Sequence, residues 1–197
     1  AILVATMFAA ASAGAEQLVV YTVRSADHPP FDQRLHRSVV EYSPSSGYRE
    51  VWYAELGALG LEITGTAITP SGRLVGVDAV NHRLVEIDTT SGLATPLVTL
   101  DLDLPYGGDL AVDGDGQGWL VAPGTTSPNP IYRVDLATGR TELVGDAGIL
   151  GGFVQGLTWL RGTLYAVDGN LYAVDPVSAQ ATLIWEAHLG GWASNWM

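Results

Sequence analysis

The sequence predicts an all-β protein: a β-propeller of four-stranded antiparallel blades, with about four blades in 197 residues. Short runs rich in Val, Leu, Ile, Tyr and Trp follow one another from Leu18 onward, and Gly, Pro, Asp and Ser separate them. After residue 15, no segment shows apolar residues at the regular spacing of an amphipathic helix. A turn motif also returns at intervals of about 40 to 50 residues, which is the period of propeller blades. These three observations together predict the fold.

The amino-acid composition excludes several kinds of chemistry. The net charge is -12, and the sequence has no Lys among its 9 basic residues. This balance argues against a nucleic-acid partner, because phosphate binding needs clustered cations. Without Lys there is no Schiff-base or P-loop chemistry. The sequence also has no Cys, which excludes disulfides, thiol catalysis and Cys-ligated zinc.

Residues 1–15 form an apolar run that ends in the small residues Ala13-Gly14-Ala15. This pattern predicts a signal peptide with cleavage before Glu16, and hence an exported protein that is secreted, periplasmic or held at the cell surface. The run is shorter than the ~20 residues of a membrane span, and no transmembrane segment is predicted after it. A buried core strand or helix is the alternative.

The recurring turn motif divides the rest of the chain into blades. The motif begins at Ser43, Asp88, Asp135 and Asp175, each time after the third strand of a unit. The predicted blades are residues 16–60, 61–104, 105–148 and 149–189. The first blade lacks a predicted first strand, and its strands begin at Leu18.

Residues 190–197 are similar to residues 151–153 and the strand that follows them, so they predict the start of a further strand. Such a strand either completes the first blade and closes a four-bladed ring, or it belongs to a larger propeller of which this chain is a fragment. The missing initiator Met and the abrupt stop favour the fragment.

Two segments carry a resemblance to known propeller repeats. Residues 77–88, Val-Asp-Ala-Val-Asn-His-Arg-Leu-Val-Glu-Ile-Asp, resemble the NHL repeat. Residues 164–176 are similar to the repeats of secreted bacterial YVTN and quinoprotein-like propellers. The resemblance implies a propeller fold and an exported bacterial protein. Some relatives of these propellers are metal-dependent lactonases or lyases, and others bind proteins, RNA or sugars. The acidic charge argues against RNA.

The polar turn at residues 78–83 has two interpretations. In the first, Asp78 caps the turn and pairs with Arg83, while Asn81 takes a left-handed conformation. In the second, Asp78 and His82 contact a ligand on one face of the propeller. Asp168 occupies the matching place in the last blade, so Asp78 and Asp168 are also a weak candidate pair for Ca²⁺ or another divalent cation.

That pair is incomplete as a ring of carboxylates, because Ala122 stands at the matching place in the third blade. Acids that cap turns are therefore the favoured interpretation. Residues 113–118, Asp-Gly-Asp-Gly-Gln-Gly, resemble the start of a calcium loop, but Gly124 stands where a bidentate Glu is required. We interpret this segment as a hairpin turn.

The longest predicted loop, residues 25–37, holds two of the four His, and long loops on a rigid scaffold often carry function. A solvated loop without a ligand is the alternative. The candidate ligand-binding residues are Asp27, His28, Arg34 and His36 in this loop, and Asp78, His82 and Asp168 at the turns. No catalytic residue is assigned, and no cofactor is firmly implied.

The sequence therefore predicts an exported propeller module that binds a protein, glycan or small ligand through loops on one face. One alternative is a metal-dependent hydrolase or lyase with carboxylates around the central channel. Another is a structural repeat of a cell-surface protein.

Overall fold

The computed structural model describes residues 4–12, 15–25, 33–43, 47–58, 61–105, 107–122, 129–149, 154 and 156–186. These residues contain sixteen β-strands and no helix. Blade 1 consists of β1 (Val4–Ser12), β2 (Ala15–Ser25), β3 (Gln33–Ser43) and β4 (Gly47–Ala58). Blade 2 consists of β5 (Ile63–Ile68), β6 (Leu74–Asp78), β7 (Arg83–Ile87) and β8 (Ala94–Thr99). Blade 3 consists of β9 (Asp109–Val112), β10 (Gly118–Val121), β11 (Pro130–Val134) and β12 (Thr141–Asp146). Blade 4 consists of β13 (Gly156–Leu160), β14 (Thr163–Val167), β15 (Leu171–Val174) and β16 (Ala181–Trp185).

Every strand pairs antiparallel with its neighbour in the sequence, so each blade is a four-stranded meander. The first strands of the blades lie side by side in chain order: β1 contacts β5, β5 contacts β9, and β9 contacts β13. The predicted all-β propeller of four-stranded antiparallel blades is therefore confirmed.

Apolar side chains fill the spaces between neighbouring blades. Strand β6 shows how this happens, because all five of its residues are buried. Leu74 packs towards blade 1 with Leu35, whereas Val75 and Val77 pack towards blade 3 with Leu110. Both faces of the strand are covered, which explains why its first four residues, Leu-Val-Gly-Val, do not alternate with polar residues.

The apolar segment predicted as a signal peptide forms β1, which pairs with β2 from Val4 to Ser12. The structure thus corresponds to the strand alternative for this segment. Cleavage before Glu16 would remove β1 from blade 1. Residues 190–197 lie outside the described residues, so the further strand expected there stays a prediction.

The predicted loop at residues 25–37 was too long. Strand β2 continues to Ser25 and β3 begins at Gln33, and these two residues pair. Gln33 is held in place because its side-chain amide donates to the backbone oxygen of Ile63 and accepts from the backbone N–H of the same residue. This double hydrogen bond fixes the start of β3 against the start of β5, so only residues 26–32 connect the strands.

Candidate functional site

The two faces of the propeller carry different connections. Because the strands alternate in direction, connections after odd-numbered strands lie on one face and those after even-numbered strands lie on the other. The first face, which we call the short-turn face, carries the connections after odd-numbered strands; their described residues are 69–73, 88–93, 113–117, 135–140, 161–162 and 175–180. The second, which we call the long-loop face, carries the connections after even-numbered strands; their described residues are 61–62, 79–82, 100–105, 107–108, 122, 129, 147–149, 154 and 168–170. The longest connections all belong to the long-loop face.

The short-turn face is built from repeated Asp-capped turns. Asp88, Asp135 and Asp175 each accept, through Oδ1, the backbone N–H of the residue two positions later, at 2.7, 2.8 and 2.8 Å. These hydrogen bonds lower the pKa of all three carboxyl groups. Gly92, Gly139 and Ala179 end the turns in the left-handed conformation. The turn motif found in the sequence is thus an architectural feature of this face.

The segment that resembles a calcium loop is a hairpin turn between β9 and β10. Asp113 accepts the backbone N–H groups of Asp115 and Gln117 through Oδ1, at 3.0 and 2.9 Å. Its Oδ2 accepts the indole N–H of Trp119 at 3.2 Å. Trp119 also stacks on Trp159, with ring centroids 5.7 Å apart, so the turn supports the packing between blades 3 and 4.

On the long-loop face, Asp78 holds the turn between β6 and β7. Its buried Oδ2 accepts from Arg83 Nε and from Asn81 Nδ2, both at 2.8 Å. Its Oδ1 lies 3.3 Å from the backbone N–H of Asn81. This geometry matches the interpretation of Asp78 as a turn cap that pairs with Arg83.

His82 connects the same turn to the segment that follows β8. Its φ of 48° is left-handed, so the left-handed residue of the turn is His82 and not Asn81 as predicted. The imidazole Nδ1 accepts the backbone N–H of Leu104 at 3.1 Å, and the His82 carbonyl accepts that of Leu100 at 2.8 Å. These two hydrogen bonds fix residues 100–104 against the turn, which the sequence pattern alone did not reveal.

His82 and Asp103 form a polar pair on the surface of the long-loop face. The His82 Nε2 atom lies 3.4 Å from Asp103 Oδ1. Since Nδ1 accepts a hydrogen bond, the proton of the neutral ring is on Nε2 and points to Asp103. The side chains are 42% and 80% exposed, so both can contact a molecule from solvent. Of the predicted ligand residues that the structure describes, His82 therefore has the geometry best suited to that role.

Asp168 caps the corresponding turn of blade 4. It accepts the backbone N–H of Asn170 at 3.0 Å and lies 3.4 Å from the Tyr172 hydroxyl group. Among the described residues, no group of three or more His, Asp or Glu is placed to hold a metal ion. The Ca²⁺ assignment for Asp78 and Asp168 stays a prediction.

The other predicted ligand residues are divided between strand and loop. Arg34 and His36 lie in β3, where Arg34 is exposed and His36 is buried. They are strand residues and not loop residues, because β3 begins at Gln33. Asp27 and His28 fall in the connection 26–32 and lie outside the described residues.

A carboxyl group that the sequence analysis did not single out lies where three blades meet. Asp109, the first residue of β9, is buried at the end of the strand that borders the long-loop face. Its Oδ2 accepts the backbone N–H of Leu157 in β13 at 2.6 Å, and Oδ1 accepts that of Leu110 at 2.9 Å. The backbone N–H of Thr66 in β5 donates to the same carboxyl group. Asp109 thus joins the first strands of blades 2, 3 and 4.

Glycines in the neighbouring strands provide the space for this side chain. Gly65 pairs with Val77 and Gly156 with Val167, at the strand positions that Asp109 and Val121 occupy in blade 3. A Cβ on Gly65 would lie 2.5 Å from Asp109 Cα, so no larger residue fits there. Burial raises the pKa of Asp109 to about 7, against the three backbone donors that lower it. The available sequence signal was a carboxyl residue at the position where blades 2 and 4 have Gly.

Comparison with known proteins identifies the fold but no family. No family profile matches the chain, and no curated protein matches its sequence. Aldose sugar dehydrogenase from Streptomyces coelicolor, solved with PQQ bound, is 10% identical with a TM-score of 0.50, over 86% of this chain and 63% of that chain. TolB from Acinetobacter baumannii is 15% identical with a TM-score of 0.50, over 86% and 41%. A streptogramin B lyase is 12% identical with a TM-score of 0.51, over 94% and 68%.

These neighbours are β-propeller proteins, and at such identities the likeness shows the fold alone. The chain spans less than two thirds of the dehydrogenase and of TolB. Within the residues that the structure describes, no helical segment has the length and hydrophobicity of a membrane span.

Proposed function

We propose that this chain is an exported propeller module that binds a protein, glycan or small ligand with its long-loop face and has no chemistry of its own. This proposal rests on the difference between the connections of the two faces. The turns of the short-turn face are short, and their Asp carboxylates bond the turn backbone. The long-loop face has the longer connections, and binding residues are commonly found on such segments of a rigid scaffold.

The exposed pair of His82 and Asp103 supports a polar contact with the ligand. Its imidazole N–H and its carboxylate offer a donor and an acceptor side by side. The backbone bonds from Leu100 and Leu104 hold the pair in place, which reduces the entropy lost on binding. Asp27 and His28 lie outside the described residues, and we propose them as further ligand residues on the sequence pattern alone.

An NMR titration of ¹⁵N-labelled protein tests this assignment. The probes are a panel of mono- and oligosaccharides and a library of soluble fragments. We expect amide shifts to change at His82, Asp103 and Gly107, and to stay constant at Asp88 and Asp135 on the short-turn face. Shifts centred on the short-turn face would contradict the proposal, and a panel without any binder would exclude the sugars and fragments tested as its ligands.

Two matched variants then test the polar contact with the best probe. Asp103→Asn removes one charged hydrogen-bond partner, and we expect affinity to fall about fivefold or more. Asp115→Asn changes an exposed Asp on the short-turn face, and affinity should stay the same. Binding that is abolished by EDTA and restored by Ca²⁺ would instead favour the metal-dependent alternative.

The proposed export rests on the apolar run of residues 1–15. N-terminal sequencing of the protein from its natural source shows whether residues 1–15 are removed. A mature chain that begins at Glu16 supports export by cleavage, whereas a retained Ala1 means that the segment serves as β1.

A further inference from the structure

The imidazole of His82 holds the connection between blades 2 and 3 through an atom that can take up a proton. Its Nδ1 accepts the backbone N–H of Leu104 at 3.1 Å, and its Nε2 lies 3.4 Å from Asp103 Oδ1. A backbone N–H can only donate, so Nδ1 must offer its lone pair and the ring must be neutral. The bond to Leu104 therefore exists in only one protonation state of His82.

Protonation of His82 places a second N–H on the ring, at Nδ1. Two donors then face each other across the 3.1 Å between Nδ1 and the Leu104 nitrogen, so this hydrogen bond is lost. The contact with Asp103 responds in the opposite way, because an imidazolium and a carboxylate attract each other. A positive charge on His82 thus releases Leu104 and strengthens the contact with Asp103.

The two ends of the connection are fixed by hydrogen bonds that do not involve the His82 ring. Near the start, the Asp101 carboxylate accepts the backbone N–H of Thr141 at 2.8 Å. At the end, the Gly108 N–H donates to Thr64 Oγ1 at 3.1 Å, and this hydroxyl group donates to the Gly108 carbonyl at 2.8 Å. The part of the connection that depends on the imidazole therefore lies between these two anchors.

The other charged groups of this turn and this connection, within the part of the chain that the structure describes, are Asp78, Arg83, Asp101 and Asp109. Asp78 and Arg83 pair with each other at 2.8 Å. Hydrogen bonds from blade 3 lower the pKa of Asp101, so it stays ionised where an imidazole ordinarily titrates, between about pH 5 and 8. Burial raises the pKa of Asp109 to about 7, so its titration has to be separated from that of His82.

We propose that His82 is a pH-sensitive latch: the neutral imidazole holds Leu104 against the turn between β6 and β7, and the imidazolium releases it. Between the anchors at Asp101 and Gly108, the backbone around Leu104 then leaves the turn, while Asp103 keeps its contact with the ring. The latch is a property of the free protein and needs no ligand. It changes the long-loop face, so it also makes the proposed binding depend on pH.

Amide hydrogen exchange, followed by NMR of the ¹⁵N-labelled chain, tests the latch. We expect the protection factor of the Leu104 amide to fall about tenfold or more from about pH 7.5 to 5.5. The Leu100 amide is the internal control, because it donates to the backbone carbonyl of the same His82 at 2.8 Å, and its protection should change less than about twofold. Constant protection at Leu104, or an equal fall at Leu100, would overturn the proposal.

His82→Asn is the matched variant. Asn readily adopts the left-handed conformation of His82, whose φ is 48°, and its side-chain oxygen can accept an N–H without titrating. We expect the protection of Leu104 in this variant to be the same at both pH values, and a fall as large as in the wild type would refute the latch. In Asp109→Asn we expect the fall at Leu104 to persist, and its disappearance there would assign the pH dependence to Asp109.

The ¹⁵N chemical shifts of the His82 ring provide a second test that does not depend on the folding of any variant. At about pH 8 we expect the proton of the neutral ring on Nε2 and the lone pair on Nδ1. A neutral ring that carries its proton on Nδ1 would overturn the proposal, because it could not accept the Leu104 N–H.

Discussion

Asp109 is a single carboxyl group that joins three blades through backbone hydrogen bonds. Its donors are the N–H groups of Thr66, Leu110 and Leu157, one from each of the first strands β5, β9 and β13. Such bonds favour the ionised form, but complete burial outweighs them and raises the pKa to about 7 from an ordinary value of 3.8. The ionisation of this one group is therefore linked to the stability of the junction.

The sign of this linkage gives a prediction for Asp109→Asn. The native state holds the proton more tightly than the unfolded state, so the stability that Asp109 contributes is complete below about pH 4 and is lost as pH rises through about 7. Asn keeps the shape of the side chain and does not titrate. We expect the fall in the free energy of unfolding between pH 5 and 8 to shrink by about 2 to 3 kcal/mol in the variant.

Urea denaturation at four pH values between 5 and 8 measures this change. Asp115→Asn alters an exposed carboxyl group on the short-turn face and should leave the pH slope of the wild type unchanged. An Asp109→Asn variant with the same slope as the wild type would show that Asp109 does not titrate in this range.

His82 illustrates what local sequence could and could not indicate. The pattern Asp-Ala-Val-Asn-His-Arg correctly predicted a capped turn in which Asp78 pairs with Arg83. It placed the left-handed residue at Asn81, the residue type that adopts this conformation most readily. The structure places it at His82, because Leu100 and Leu104 bond the carbonyl and imidazole of that residue. Those partners lie far away in the sequence, so the local pattern contained no sign of them.

At the scale of the structural element, the last turns of blades 3 and 4 are a repeated unit with a contact to the preceding blade. Gly139 ends the turn between β11 and β12 with a φ of 73°, and a Cβ there would overlap the Thr99 carbonyl of blade 2. The equivalent residue Ala179 has a φ of 61°, so the corresponding turn of blade 4 accommodates a Cβ in this conformation. The glycine is thus required at Gly139 chiefly by the neighbouring blade.

We therefore predict that Gly139→Ala is more costly than a glycine substitution at an open turn. The variant should lose at least about 3 kcal/mol of stability, from left-handed strain and from the displaced Thr99 backbone. Gly162→Ala is the matched control, since Gly162 has a φ of 82° and no atom within 4 Å of the added Cβ. It should lose about 1 to 2 kcal/mol. Chemical denaturation measures both, and equal losses would mean that the contact with Thr99 does not constrain the turn.

At the scale of the whole molecule, two sets of carboxyl groups change the stability with pH in opposite directions. Asp88, Asp135 and Asp175 have lowered pKa values, so their contribution is present above about pH 4 and is lost as pH falls below it. The contribution of Asp109 is lost as pH rises towards 7. A net charge of -12 adds self-repulsion at neutral pH.

These opposing effects predict a stability optimum on the acid side of neutrality. We expect the Tm, followed by circular dichroism in low salt, to be highest between about pH 4 and 6 and to fall on both sides. A Tm that rises from pH 6 to pH 8 would show that the buried carboxyl group of Asp109 is not a major contributor.

The long-loop face is also a property of the whole molecule. It is not visible in any single blade, because it depends on the alternation of all strands. The structural neighbours, at 10 to 15% identity, share the propeller and leave this surface to be interpreted from this chain's own residues.

By itself, the sequence determined the repeat, the strands of blades 2 to 4 and the Asp-capped turns, because each depends on residues close together in the chain. Only the tertiary structure decided that Val4–Ser12 serves as a strand, that Gln33 begins β3 and that Asp109 joins three blades. The physical reason is the same in each case. These outcomes depend on hydrogen bonds and apolar contacts between residues that are remote in sequence. A local sequence pattern does not show which remote residues will be in contact.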